Sequence, residues 1–102
     1  MVKLTNETEK LTAAIVGEID HHTARGIREE IDANLERSLP RTLVLDFKDV
    51  SFMDSSGIGL IMGRYKLVKS MGGRIVIKGA SKQNLRVMQL AGMSKIVDFE
   101  ED

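Results

Sequence analysis

The chain has 102 residues, 42% of them hydrophobic and 29% charged, with fifteen basic and fifteen acidic side chains that cancel and no cysteine. That is enough for one folded domain, residues 1–102, with a single core. It excludes a global field for nucleic acid or anionic membrane, a base-stacking platform (three Phe, one Tyr, no Trp), disulfides, thiolate metal sites and cysteine nucleophiles.

Met1 to Glu7 lacks the apolar stretch of a signal peptide, and no later run is long enough to span a bilayer, so a cytoplasmic protein is expected. Residues 2–5 and 10–19 read as strands, and the polar Asn6-Glu7-Thr8-Glu9 between them as the turn of an antiparallel hairpin. Asp20 or Thr23 opens a helix whose Ala24, Ile27, Ile31 and Leu35 recur at helical spacing, with Leu39 one turn on. Pro40 ends it. Gly26 inside it has no evident reason. His21-His22, beside Asp20 and Glu18, invites a metal reading, but neighbours on a helix point about 100° apart, so a capping and loop role is expected.

Residues 42–47 form a nearly continuous apolar run, the pattern of a strand covered on both faces. A second helix is predicted from Ser56 or Gly57 to Ser70, closed by Gly72-Gly73. Its apolar side chains cover more than half the circumference, which predicts burial between the sheet and a neighbouring helix, or an apolar patch left open for a partner near Ser55. Residues 74–78 read as another buried strand, Ser81 caps a third helix that Gly92 ends, and residues 95–99 form the last strand before Glu100-Glu101-Asp102 frays into solvent. The fold class is α/β: a mostly parallel sheet with an N-terminal antiparallel hairpin and helices as crossovers.

The chemistry concentrates in Ser51 to Gly59, where Asp54-Ser55-Ser56 stands at the carboxyl end of a strand and the start of a helix. Helix N-H groups and the positive end of the helix dipole make a negative group tolerable there, which suits a phosphorylatable serine. The same residues also suit plain helix capping. Gly57-Ile58-Gly59 departs from a dinucleotide fingerprint, since the third glycine falls at Gly63 and not at position 62. A serine hydrolase would want a glycine at position 53, where the chain has Met53. Asp46, Asp49 and Asp54 suggest a metal-dependent phospho-aspartate receiver centred on Asp46 or Asp54, although the chain is short for that fold and begins with a hairpin.

Gly17-Glu18-Ile19-Asp20-His21-His22-Thr23-Ala24, Leu45 through Gly59, and Gly63-Arg64-Tyr65-Lys66 together resemble the bacterial anti-sigma factor antagonists, single STAS domains. The similarity is strongest to their sporulation branch, the antagonists of the anti-sigma-F factor. The resemblance implies a switch and not an enzyme, with no cofactor. The unphosphorylated form would bind an anti-sigma factor that is also a serine kinase and so release a sigma factor; phosphorylation would end binding, and a serine phosphatase would reset it. The acceptor falls on Ser55, with Ser56 inferred as a helix-cap hydroxyl. The partner surface would hold Asp20, Thr23, Asp54, Ser55, Ser56, Gly57, Ile58 and Gly59, on a chain expected to be a monomer when free, without nucleic-acid or membrane partners.

Overall fold

Thr8 and Glu9 alone reverse the chain between β1 (Val2–Glu7) and β2 (Lys10–Ile19), with Glu9 at φ 62°. The turn is half the expected length because Asn6 and Glu7 pair with Leu11 and Lys10 and so belong to the antiparallel hairpin. The computed structural model describes residues 1–100. Glu100 ends the last strand, and the rest of the expected frayed terminus, Glu101 and Asp102, lies outside the described residues.

The other elements follow as α1 (Ala24–Ser38), β3 (Thr42–Met53), α2 (Ser55–Ser70), β4 (Arg74–Lys78), α3 (Lys82–Leu90) and β5 (Asp98–Glu100). The strands lie side by side in chain order, and every pair after the hairpin is parallel. Register places Leu11, Leu43 and Ile75 in one row and Ala13, Leu45 and Ile77 in the next. Alternate side chains of a strand share a face, so these rows point the same way. Ile27, Ile31 and Leu35 of α1, Leu60, Ile61 and Val68 of α2, and Met88 of α3 close on them to form one core. Val44 and Val76 face the other way and do not belong to it. The helices therefore cover one face of the sheet, not both. The unbroken apolar run concealed this, because Val44 and Asp46 are themselves little exposed.

Three boundaries differ from expectation. β3 continues six residues past Phe47, as Val50 and Met53 keep the core side while β2 accommodates the run through shifts of register between Ala14 and Val16 and between Gly17 and Glu18. Strand β5 starts three residues late, because the Ile96 and Val97 N–H groups donate to the Met93 carbonyl and are spent on a turn. Leu39 is no part of the apolar stripe. It caps α1 in left-handed geometry, φ 47° and ψ 55°, donates its N–H to the Leu35 carbonyl, and is 65% exposed. α2 does pack against both the sheet and α1, as its apolar circumference suggests.

Glycines interrupt the helices at Gly26, Gly59 and Gly63, each less favourable than alanine by about 1 kcal/mol in a helix interior. A Cβ at any of the three would meet nothing within 4 Å.

Asp46, on the face away from the helices, accepts from the Lys48 backbone N–H and from Lys48 Nζ, both at 3.0 Å. Burial pushes its carboxyl up, but these bonds outweigh burial and hold it below the usual carboxylate range. With the folded value the lower one, ionised Asp46 favours the folded state above the unfolded value, about 4. That contribution disappears as pH falls through the folded value. Asp46→Asn is therefore expected to lose less stability than the unmodified chain between about pH 7 and about pH 3. Urea unfolding at the two pH values reads the difference; equal losses would remove Asp46 from the acid response.

Candidate functional site at the start of the second helix

Met53 ends β3, Asp54 caps α2, and Ser55 is the first residue of the helix. Asp54 is extended, at φ −103° and ψ −162°. Its Oδ1 accepts the Ser56 N–H at 2.7 Å, and its carbonyl accepts the Gly57 N–H at 3.0 Å. The cap is thus the aspartate and not the Ser56 hydroxyl inferred from sequence. A carboxylate one bond from its Cβ reaches the N–H two residues on, and it also suits the positive end of the helix dipole. This arrangement leaves Ser55 exposed, with a side chain that makes no hydrogen bond to the described residues.

Gly57 is buried because α2 starts directly on Met53: a Cβ there would lie 2.7 Å from Met53 Cε. Beneath the junction, Asn84 of α3 donates from Nδ2 to the Val50 carbonyl at 3.2 Å, in a fully buried bond that ties the end of β3 to the third helix. Asp54→Ala is expected to cost about 0.5–2 kcal/mol, with Asp54→Asn retaining most of the stability because its amide oxygen can cap as well. Denaturant unfolding of the two variants checks this, and equal losses would show that capping is not what Asp54 contributes.

A second turn lies against this one. The Asp54 N–H donates to the Ile19 carbonyl at 3.1 Å, joining the ends of β2 and β3. After Ile19, Asp20 Oδ1 accepts the backbone N–H groups of His22 at 2.8 Å and Thr23 at 3.0 Å, and these two bonds hold its carboxyl below the usual range. Thr23 Oγ1 accepts the Asp20 N–H and donates to the Glu18 carbonyl at 2.8 Å. Asp20 and Thr23 thus stand beside the α2 start, as the sequence motif places them, with polar atoms that also build their own turn. The His21 and His22 rings lie against each other, tilted by 39° with their centroids 3.9 Å apart. Ile58 is half-buried against the core, Gly59 is exposed, and Phe52, three residues before Ser55, is 46% exposed. All eight residues of the expected surface gather at one end of the sheet.

The acidic-pocket reading fails on geometry. Asp46, Asp49 and Asp54 are strung along β3 and its end, and at the rise of a strand the first and last are roughly 25 Å apart along the chain. Among the described residues no three His, Cys, Asp or Glu side chains gather to hold a metal ion. The phospho-aspartate receiver is set aside. Nor, among the described residues, is any helix long and apolar enough to cross a membrane.

Sequence reading missed one ion pair. Arg64 of α2 is only 6% exposed, and its Nε lies 2.7 Å from Asp32 Oδ1 on α1. The signal was present in the spacing: Arg64 stands four residues after Leu60 and four before Val68, on the buried stripe. Its charge masked that position. Burial lowers the guanidinium pKa, and burial likewise raises that of Asp32.

The family model of the STAS domain matches residues 2–102. An anti-sigma F factor antagonist of Paenibacillus polymyxa is 33% identical over 101 residues, covering 99% of this chain and 86% of its own. An anti-sigma-B factor antagonist of Bacillus subtilis is 36% identical over 85 residues, covering 83% of this chain and 76% of its own. Among solved structures, the anti-sigma factor antagonist SpoIIAA in its unphosphorylated form matches with a TM-score of 0.86 at 28% identity, covering all of this chain and 88% of that one. The phosphorylated form of Bacillus SpoIIAA matches with a TM-score of 0.79 at 28% identity, over all of this chain and 91% of that one.

Proposed function

Because the chain belongs to the STAS domain family, we propose that it is an anti-sigma factor antagonist whose binding is switched off by phosphorylation of Ser55. The unmodified chain binds an anti-sigma factor and frees the sigma factor held by it. The anti-sigma factor is also the kinase: Ser55 Oγ attacks the γ-phosphorus of ATP, the new O–P bond replaces the bond to the β-phosphate oxygen, ADP leaves, and the hydroxyl proton passes to a kinase base. A serine phosphatase hydrolyses the ester and restores binding. Such a regulator acts beside the transcription machinery, in the cytoplasm.

One observation carries the reading: Ser55 is exposed at the first position of α2, its hydroxyl unspent among the described residues, immediately after the aspartate that caps the helix. The backbone of the acceptor turn is fixed, yet its nucleophile is free. A phosphate brings close to two negative charges, and the helix start can carry them. The fold need not change, and the likeness to SpoIIAA in both of its forms supports that. What changes is the surface, where a partner now meets phosphate beside the Asp54 carboxylate.

The test is incubation with a cognate anti-sigma factor kinase. With ADP the two proteins should form a stable complex and displace the sigma factor. With ATP the chain should gain one phosphate, stable to acid and hydroxylamine, and fragment mass spectrometry should place it on Ser55. A label on Asp46, Asp54 or Ser56 would overturn the assignment.

A further inference from the structure

A groove of about 470 Å³ runs between α1 and α2. Gly59 and Gly63, four residues apart on one stripe of α2, open one wall, and Ala24 of α1 stands on the other. Neither glycine is needed by the chain itself, since a Cβ at either would touch nothing. Gly73 is different, with the Arg41 carbonyl too close for a side-chain carbon. Two helix-weakening residues have thus been placed where they only keep a surface low.

The charges lining that groove are of one sign. Arg64 reaches it from α2 and Arg25 and Arg28 from α1, with the His21 ring beside them, and among the described residues no carboxylate lines it. Arg25 is paired with Glu29 at 2.9 Å. Arg28 forms no ion pair among the described residues, while its charge acts on both Arg64 and Asp32. Arg64 is more than nine-tenths buried. Its Nε pairs with Asp32 at 2.7 Å, and both Nε and Nη1 are closed off from solvent, so its charge lies beneath the groove.

We infer that this groove docks an acidic segment of the anti-sigma factor, with backbone passing over Gly59 and Gly63 and a carboxylate meeting the exposed Arg28 guanidinium. The inference rests on the antagonist reading above, and the groove is continuous with the surface of that reading, since Ser56 and Gly59 belong to both. Charge sets the occupant: the exposed Arg28 guanidinium, without an ion pair among the described residues, matches a carboxylate in two bonds and steers it in.

The experiment is titration of the ADP-loaded anti-sigma factor with the unmodified chain and with Gly63→Ala, Arg28→Glu and Arg37→Glu, following heat and salt dependence. Gly63→Ala is expected to melt higher when free and to bind about tenfold weaker or worse, which separates lost contact from lost folding. Arg28→Glu should weaken binding at least as much at low salt, with a smaller loss at high salt. Arg37→Glu, in the last turn of α1, should bind within about twofold of the unmodified chain, as a rim charge away from the contact does. If the unmodified chain binds and the first two variants bind equally well, the groove assignment is wrong and the antagonist reading stands. If the unmodified chain does not bind at all, both fall. A free chain that sediments as a dimer and becomes a monomer in Gly63→Ala would give the groove to a second copy and overturn the assignment.

Discussion

Ser55→Asp is expected to keep the fold and to weaken binding of the anti-sigma factor by about tenfold or more, about 1.4 kcal/mol. Three features set the direction. Ser55 is the first residue of α2, where an acidic side chain is compatible with the helix dipole, so folding is spared. It is exposed, so the new carboxylate meets the partner and not the core. It also stands next to Asp54, so the partner must approach two adjacent carboxylates where it formerly met one. A full phosphate carries close to twice the charge of aspartate and should act more strongly. Ser55→Ala, which removes the acceptor without adding charge, should bind in ADP and ATP alike and hold the sigma factor released. Calorimetry on all three forms, with circular dichroism for folding, reads the series. A folded Ser55→Asp and a phosphorylated chain that both bind like the unmodified protein would end the electrostatic account.

The largest effect on stability is expected at Gly73→Ala, and its sign is opposite to that of Gly63→Ala. A Cβ on Gly73 would lie 2.7 Å from the Arg41 carbonyl oxygen and 2.9 Å from Val68 Cγ1. The Arg41 carbonyl cannot yield easily, because it accepts the Arg74 N–H at 2.8 Å where β3 and β4 begin to pair. The Gly73 N–H is itself bonded to the Val68 carbonyl at 2.9 Å, which fixes the strand start against the end of α2. Overpacking of this kind costs about 1–3 kcal/mol, and 2 kcal/mol lowers the melting temperature of a domain this size by about 10 °C. Gly63→Ala, in open space, should instead gain about 1 kcal/mol through helix propensity. Thermal unfolding of the pair checks both signs; a neutral Gly73→Ala would mean that the strands separate slightly at no cost.

Where burial and local pattern agree, the fold was legible. Ile27, Ile31 and Leu35 announced α1 because every inward position is aliphatic, and the apolar centre of β4 announced a strand for the same reason. The second half of β3 was not legible: Lys48, Asp49 and Ser51 read as loop, since only pairing with an irregular β2 makes them a strand. Leu39 misled through its chemistry, being apolar and in phase with the helix, until the chain turned into left-handed geometry before Pro40. In the site, the motif placed Asp20, Thr23 and residues 54–59 together. It could not tell which of Asp54 and Ser56 caps the helix, because both types cap well and only the backbone angles decide. Arg64 stayed hidden because a charge on an apolar stripe is ordinarily read as a boundary, and its partner Asp32 belongs to another helix.

The side-by-side order of the strands bears on how the chain is made. On a ribosome, β1 and β2 emerge first and β5 last, and each strand arrives next to the one completed just before it. No finished pair must part to admit a later strand, as it must when a later strand inserts between two earlier ones. The loops to be closed are single crossovers between neighbouring strands, and nascent edges wait only as long as one helix takes to be synthesised. A sheet assembled this way exposes one unfinished edge at a time, which limits the interval in which a growing chain can pair with a neighbour instead of with itself.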